Sequence, residues 1–273
     1  MASHEADHWK IEDLDFSRIA LDKVREDENL FYLVTSASFV DSGSDLYTHN
    51  LIDFFRGDNE VTDWLSNYWE PEELQHGRAL RAYVLHVWPD FAWDAAYSRF
   101  LEEYATYCKV ELLQPTRALE MTARCVVETG TATYYRAMER ATTEPVLRDL
   151  AGRIATDEVN HYKHFYRFFR RYREQEKLSR FRVFGTISRR TLELKSEDAD
   201  CAIRHVVQAR SPERAHDTAY VQELSARMNS TIRTNLSAGA TLKMLMRPLE
   251  LPARVQTVIQ YPIRQFMQYV FLR

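Results

Sequence analysis

"EELQHGRAL" (72–80) and "DEVNHYKHF" (157–165) each carry a glutamate and a histidine three residues apart, Glu73 with His76 and Glu158 with His161. On a helix this step puts both side chains on one face, one turn apart. The spacing alone proves little. With 23 Glu and 9 His among 273 residues, chance supplies roughly one such pair. The chain has four, the others being Glu5 with His8 and Glu213 with His216. Context separates them. The first stretch lies on the stripe Trp69, Glu73, His76, Leu80, Tyr83, Val87, and the second on Ile154, Glu158, His161, Phe165, Phe168, Tyr172. In both, the polar pair interrupts a face that is otherwise apolar and should point into a core. A buried carboxylate without a partner costs several kcal/mol. A metal ion would supply that partner, and a buried Glu–His hydrogen bond is the alternative. Glu5–His8 falls in a polar leader. Glu213–His216 falls in the first turn after Pro212, where a solvated acid is favoured by the helix dipole.

Composition supports helices as the setting. Gly occurs seven times and Pro eight, with no Gly-rich phosphate loop, which favours an all-α protein over a nucleotide fold. A net charge of −4 gives no electrostatic footprint for nucleic acid. No apolar run approaches the ~20 residues of a membrane-spanning helix. The N-terminal stretch is polar and lacks a signal-peptide apolar region. The three Cys (108, 125, 201) have no zinc-like spacing and read as reduced thiols, Cys125 as a core residue. These features lead us to expect a cytoplasmic protein.

Proline and turn residues mark the expected helices. Residues 1–17 read as a flexible leader. A helical pattern runs over about 18–56 in two segments, with a turn at 56–60. A helical stretch from about 61 leads into a long helix with Pro71 in its first turn, ending near Pro89. Helices follow over about 91–112, 115–141 and 145–176, the last opened by a Thr N-cap in "TTEP". Residues 178–196 read as irregular around Gly185, and shorter helices follow. The long helices with short connections suit an antiparallel four-helix bundle over 18–178, with a helical extension over 179–273 packed on it.

Two more helices offer lone acids. Glu128 stands on the stripe Met121, Cys125, Glu128, Thr131 or Ala132, Tyr135, where Arg124 is an alternative partner for it. Asp41 stands on the stripe Leu30, Val34, Ala37, Asp41, Ser44, with Asp45 as a competitor. His164 reads as a surface group or a neighbour of the ligands. One carboxylate, Glu-x-x-His, one carboxylate, Glu-x-x-His, in chain order, is a donor set able to hold two metal ions in a bundle core.

At this point the sequence resembles the ferritin-like di-iron carboxylate proteins, and within them the soluble acyl-acyl-carrier-protein desaturases. The resemblance rests on Trp69-x-x-Glu72-Glu73-x-x-His76-Gly77, on Ala155-Thr156-Asp157-Glu158-x-x-His161, and on Glu128-x-x-Thr131, and it covers about residues 30–170. It implies a ferritin-like bundle holding two iron ions, with manganese or a mixed pair also suited to the ligands. Glu73 and Glu158 would bridge them, His76 with the first-helix acid would hold one, and His161 with Glu128 the other. Asp157 would orient a ligand histidine, and Thr131 would lie at the dioxygen pocket. The chain departs from the family at Asp41-Ser42, where the family has Glu-Glu, and it cannot be matched beyond about residue 180. The related arylamine N-oxygenases carry a further His where this chain has Ile154.

The function implied is oxidation of an apolar or acyl-type substrate, either free or bound to acyl carrier protein, by dioxygen, with electrons from a donor such as ferredoxin, in a homodimer. The other reading is ferritin-like iron handling or ferroxidase activity without an organic substrate. A third is a binding module that has lost its metal. Ten Lys or Arg against two acids between Lys163 and Arg190 suggest either a docking patch for an acidic partner or a solvated helix face.

Overall fold

The computed structural model describes residues 9–193 and 198–252, which are helical throughout with no strand among them. Chain order gives α1 (Leu21–Val24), α2 (Glu28–Ser42), α3 (Ser44–Phe54), α4 (Asn59–Trp64), α5 (Glu70–Val87) and α6 (Trp93–Tyr104). Then follow α7 (Arg117–Ala141), α8 (Pro145–Glu176), α9 (Arg180–Glu193), α10 (Asp198–Arg210), α11 (Thr218–Asn235) and α12 (Ala238–Met246). A π-helical stretch, Leu65–Trp69, joins α4 to α5.

Local chemistry sets the ends of the long helices. Asp27 caps α2 by accepting from the Leu30 N–H at 2.9 Å. Pro71 and three acids (Glu70, Glu72, Glu73) stand at the start of α5, which continues without a break from the π-helical stretch. The N-cap of α8 is Glu144, not a threonine: its carboxylate accepts from the N–H groups of Val146 and Leu147 at 3.0 and 2.6 Å. The buried hydroxyl of Tyr83 donates to the same carboxylate at 3.0 Å and fixes it there.

Four helices form two pairs, α2 with α5 and α7 with α8. The α7–α8 pair is antiparallel, since Ala118 meets Glu176, Thr131 meets Glu158 and Arg136 meets Thr156. The α5–α8 contact is antiparallel too, with Glu72 opposite His161 and His76 opposite Asp157. Between the pairs the apolar interior divides into two clusters. One takes Phe39, Leu80, Tyr83, Tyr135, Leu150 and Ile154, and the other takes Trp69, Met121, Cys125, Phe165, Phe168 and Phe169. α7 and α8 contribute to both clusters, while α5 contributes to the first and the π-helical stretch before it, through Leu65 and Trp69, to the second. The crossover falls at Glu73–His76, at Glu128 and at Glu158–His161, so a polar layer separates two apolar halves.

Gly77 sets the spacing of α2 and α5. A Cβ at Gly77 would lie 2.6 Å from the backbone nitrogen of Ser42 and 2.7 Å from its Cα. Only glycine admits the α2 backbone this close, directly beside Asp41 and one residue after His76.

Three expectations need correction. Residues 9–17 are not a loose leader: Trp9 and Leu14 are buried, and the Gln75 amide donates to the Trp9 carbonyl at 2.7 Å. Residues 1–8, with Glu5 and His8, lie outside the described residues. Most of 178–196 is not irregular but forms α9, because Val183, Thr186 and Ile187 make a buried face and Gly185 sits where a Cβ would meet nothing. The helix expected over 91–112 ends at Tyr104. Of the C-terminal extension, α9, α11 and α12 lie against α7, and α10 lies against α2 and α6; residues 253–273 are outside the described residues. The basic run has internal uses. Arg171 pairs with Asp58 and Glu60, Arg167 with Glu60 at 3.1 Å, and Arg170 and Arg173 with Glu250 at 3.1 and 2.8 Å.

Gly77→Ala should force α2 and α5 apart. A loss of about 1–3 kcal/mol is expected for overpacking against backbone, read as a lower urea midpoint at unchanged slope.

Candidate metal centre

The polar layer gathers Asp41, Glu73, His76, Glu128, Glu158 and His161, each 0–8 % exposed. Glu73, Glu128, Glu158 and His161 present donor atoms that all lie within 4.8 Å of one another, a group that could hold a metal ion. The Nδ1 of His161 is 3.1 Å from Glu73 Oε1, 3.6 Å from Glu128 Oε2 and 3.7 Å from Glu158 Oε2. The Nδ1 of His76 is 3.4 Å from Glu158 Oε1 and 4.0 Å from Glu73 Oε2. Both glutamates therefore turn one oxygen toward each imidazole. Donors at ~2.1 Å from a shared ion sit roughly 3.0–3.4 Å apart, so the His161 side is near the spacing that binding needs and the His76 side is more open.

None of this amounts to a hydrogen-bonded core. His76 Nδ1, His161 Nδ1 and Glu128 Oε2 are buried with no hydrogen-bond partner. Buried polar atoms are rarely left so. The outer nitrogens, in contrast, are held. His76 Nε2 lies 3.1 Å from Asp157 Oδ2, and His161 Nε2 lies 2.6 Å from Glu72 Oε2. An N–H donated outward on each ring fixes the tautomer that leaves the Nδ1 lone pair facing inward, the arrangement a metal-binding imidazole requires. The bracing is crossed: the acid before Glu158 holds the histidine of α5, and the acid before Glu73 holds the histidine of α8. Trp9 extends one brace, donating its indole N–H to Asp157 Oδ2 at 2.7 Å and stacking on the His76 ring.

Asp41 lies on the His76 side. Its burial and the nearby Glu73 and Glu158 push its carboxyl well above the usual range. The Tyr135 hydroxyl donates to its Oδ2 at 2.5 Å. Asp45 lies beyond the break at Gly43, half-buried, with its Oδ1 accepting from the Leu46 N–H. Arg124 is not a partner of Glu128, since it pairs with Glu120 at 2.9 Å. Thr131 donates to Glu158 Oε2 at 2.8 Å while also reaching the carbonyl of Glu128 at 3.2 Å. His164 stacks on Trp64 outside the cluster. Sequence reading gave no role to Glu72, Tyr135 or Trp9. Glu72 precedes Glu73 as Asp157 precedes Glu158, and that parallel was the available signal.

Charge explains why the layer needs compensation. Burial raises Glu128, and Glu158 reinforces this against the opposing pull of His161. Burial disfavours a charged His76, but Asp157, Glu158 and Glu73 outweigh it and push the imidazole up to about 10. His161 is raised likewise against its burial by Glu128, Glu158, Glu72 and Glu73. Among the described residues, no lysine or arginine pairs with Asp41, Glu73, Glu128 or Glu158; the two imidazoles are the titratable cations beside Glu73, Glu128 and Glu158. Two divalent ions would neutralise four carboxylates, with both rings neutral.

No family model, curated protein or solved structure matches the chain.

Two outcomes follow. Glu72→Gln and Asp157→Asn should each weaken metal binding about 10–100-fold, measured by competition with a chelator. Protons on the imidazoles must leave before metal binds. Affinity should therefore climb as pH rises from neutral toward about 10, the value for His76, and fall in acid. Calorimetry in buffers of different ionisation enthalpy would show net proton release.

Proposed function

We propose that the chain is a non-haem di-iron oxidoreductase of the ferritin-like plan, which uses dioxygen to desaturate or hydroxylate an apolar, acyl-type substrate. The observation that carries this reading is the pair Glu73 and Glu158, each with one oxygen toward each imidazole. That is the disposition of two bridging carboxylates. Glu73 and Glu158 would be shared by both ions, His161 with Glu128 would complete one, and His76 with Asp41 the other. The donors are hard oxygens and imidazole, which suit iron and equally manganese. When bound, the ions would supply reduction of dioxygen and oxidation of an unactivated C–H bond.

The protein's own part is narrower. Asp157 and Glu72 orient the two rings. Tyr135 holds Asp41 by one oxygen, leaving the other oxygen for an ion. Thr131 keeps a hydroxyl proton at Glu158, on the edge of the cluster, where it can be handed inward. The apolar halves on either side exclude water from the layer. Electrons from a donor such as ferredoxin and a substrate on acyl carrier protein belong to this proposal through the motif resemblance alone.

Elemental analysis of iron-loaded protein tests it first. About two ions per chain are expected, none in Glu73→Ala/Glu158→Ala, and roughly one in Glu128→Gln. Oxygen uptake by the reduced protein then separates the readings. Uptake stimulated by an acyl substrate, with a modified product, supports the oxidoreductase. Uptake in proportion to added ferrous iron alone supports ferroxidase activity. A parent protein that binds no iron under anaerobic loading overturns both.

A further inference from the structure

A second group of metal-type donors lies outside the polar layer, where α10 meets α6. Glu103 of α6 and Cys201 and His205 of α10 offer a carboxylate oxygen, a thiol sulfur and a ring nitrogen within 4.8 Å of one another. Cys201 and His205 are one turn apart on the same face, and both are buried, at 0 % and 9 % exposed. His205 Nε2 is 2.9 Å from Glu103 Oε2, while its Nδ1 is buried with no hydrogen-bond partner. Two neighbours hold the other oxygen of Glu103, Arg204 at 2.6 Å and the Tyr107 hydroxyl at 2.9 Å, and Arg204 also reaches Oε2 at 3.3 Å. Arg204 first, with His205 and Tyr107, keeps this carboxylate ionised down to about pH 2.

We propose that Glu103, Cys201 and His205 form a separate site for a single divalent ion of the zinc type, clamping α10 to α6. Thiolate, imidazole and carboxylate are the three donor classes that zinc accepts, with a water free to take the fourth position. The sulfur distinguishes this site from the all-oxygen-and-nitrogen layer and selects borderline-soft ions over iron-type hard ones. Tetrahedral zinc places such donors roughly 3.3–3.6 Å apart. The His205–Glu103 pair must open by a few tenths of an ångström, and the sulfur must close by up to about 1.2 Å, movements within reach of side-chain rotation. Binding replaces protons: Cys201 gives up its S–H proton to solvent, the sulfur–metal bond forms, and no oxidation state changes. Arg204 stays on the far oxygen of Glu103 and orients it.

Cobalt(II) titration of the full-length apo-protein tests this, because only a thiolate ligand gives sulfur-to-cobalt charge-transfer absorption. One equivalent of such absorption is expected. It should persist in Glu73→Ala/Glu158→Ala, which lacks the other centre, and weaken as pH falls. Cys201→Ser should abolish it, with zinc affinity down roughly 100-fold or more, beyond the 10–100-fold typical of losing an outer partner. If Cys201→Ser does not fold, Glu103→Gln keeps the shape and should still lower cobalt affinity. Absence of the band in the parent, or a band that survives Cys201→Ser, overturns the proposal and leaves an ion-pair network between two helices.

Discussion

Four carboxylates in the dry interior of a helical protein set the terms for everything around them. Each ionised group taken from water costs several kcal/mol unless matched, and the described residues provide no lysine or arginine for them. The fold tolerates this layer because it is thin. Phe39, Leu80, Tyr83 and Ile154 on one side, and Met121, Phe165, Phe168 and Phe169 on the other, form two apolar cores that hold the four helices in register. Stability is supplied by the cores, and the layer between them is left with unsatisfied donor atoms aimed at a common space.

The short reach of Asp41 finds its explanation in the backbone. An aspartate is one methylene shorter than a glutamate, so its helix must stand closer. Gly77 permits that approach, since any side chain there would run into Ser42. Tyr135 then occupies one oxygen of Asp41. The short side chain at Asp41 is thus accompanied by a local geometry that suits its reach.

Much of this was legible in the sequence because helical periodicity reports which face is buried. A Glu or His standing on an otherwise apolar stripe is visible without a structure, and so were Glu73, His76, Glu128, Glu158 and His161. Asp41 was visible but not separable from Asp45, since the helix break at Gly43 that divides them depends on tertiary packing. The crossed partners were hidden, because the reach of Glu72 to His161 is a contact between helices that no spacing encodes. Trp9 was hidden for another reason: one aromatic in a polar segment has no period. Gly185 misled, since glycine on a solvent-facing position interrupts a pattern without interrupting a helix. Glu103 with Cys201 and His205 combines residues from distant helices, beyond any motif of contiguous spacing.

The crossed bracing of the two histidines has a consequence for how such a chain can diverge. The imidazole on α5 is aimed by a residue of α8, and the imidazole on α8 by a residue of α5. Neither half can drift alone, because a change in one motif is registered at the ring carried by the other. The two nine-residue stretches, although separated by α6 and α7, form a single heritable unit, and their acids should be inherited as a matched pair.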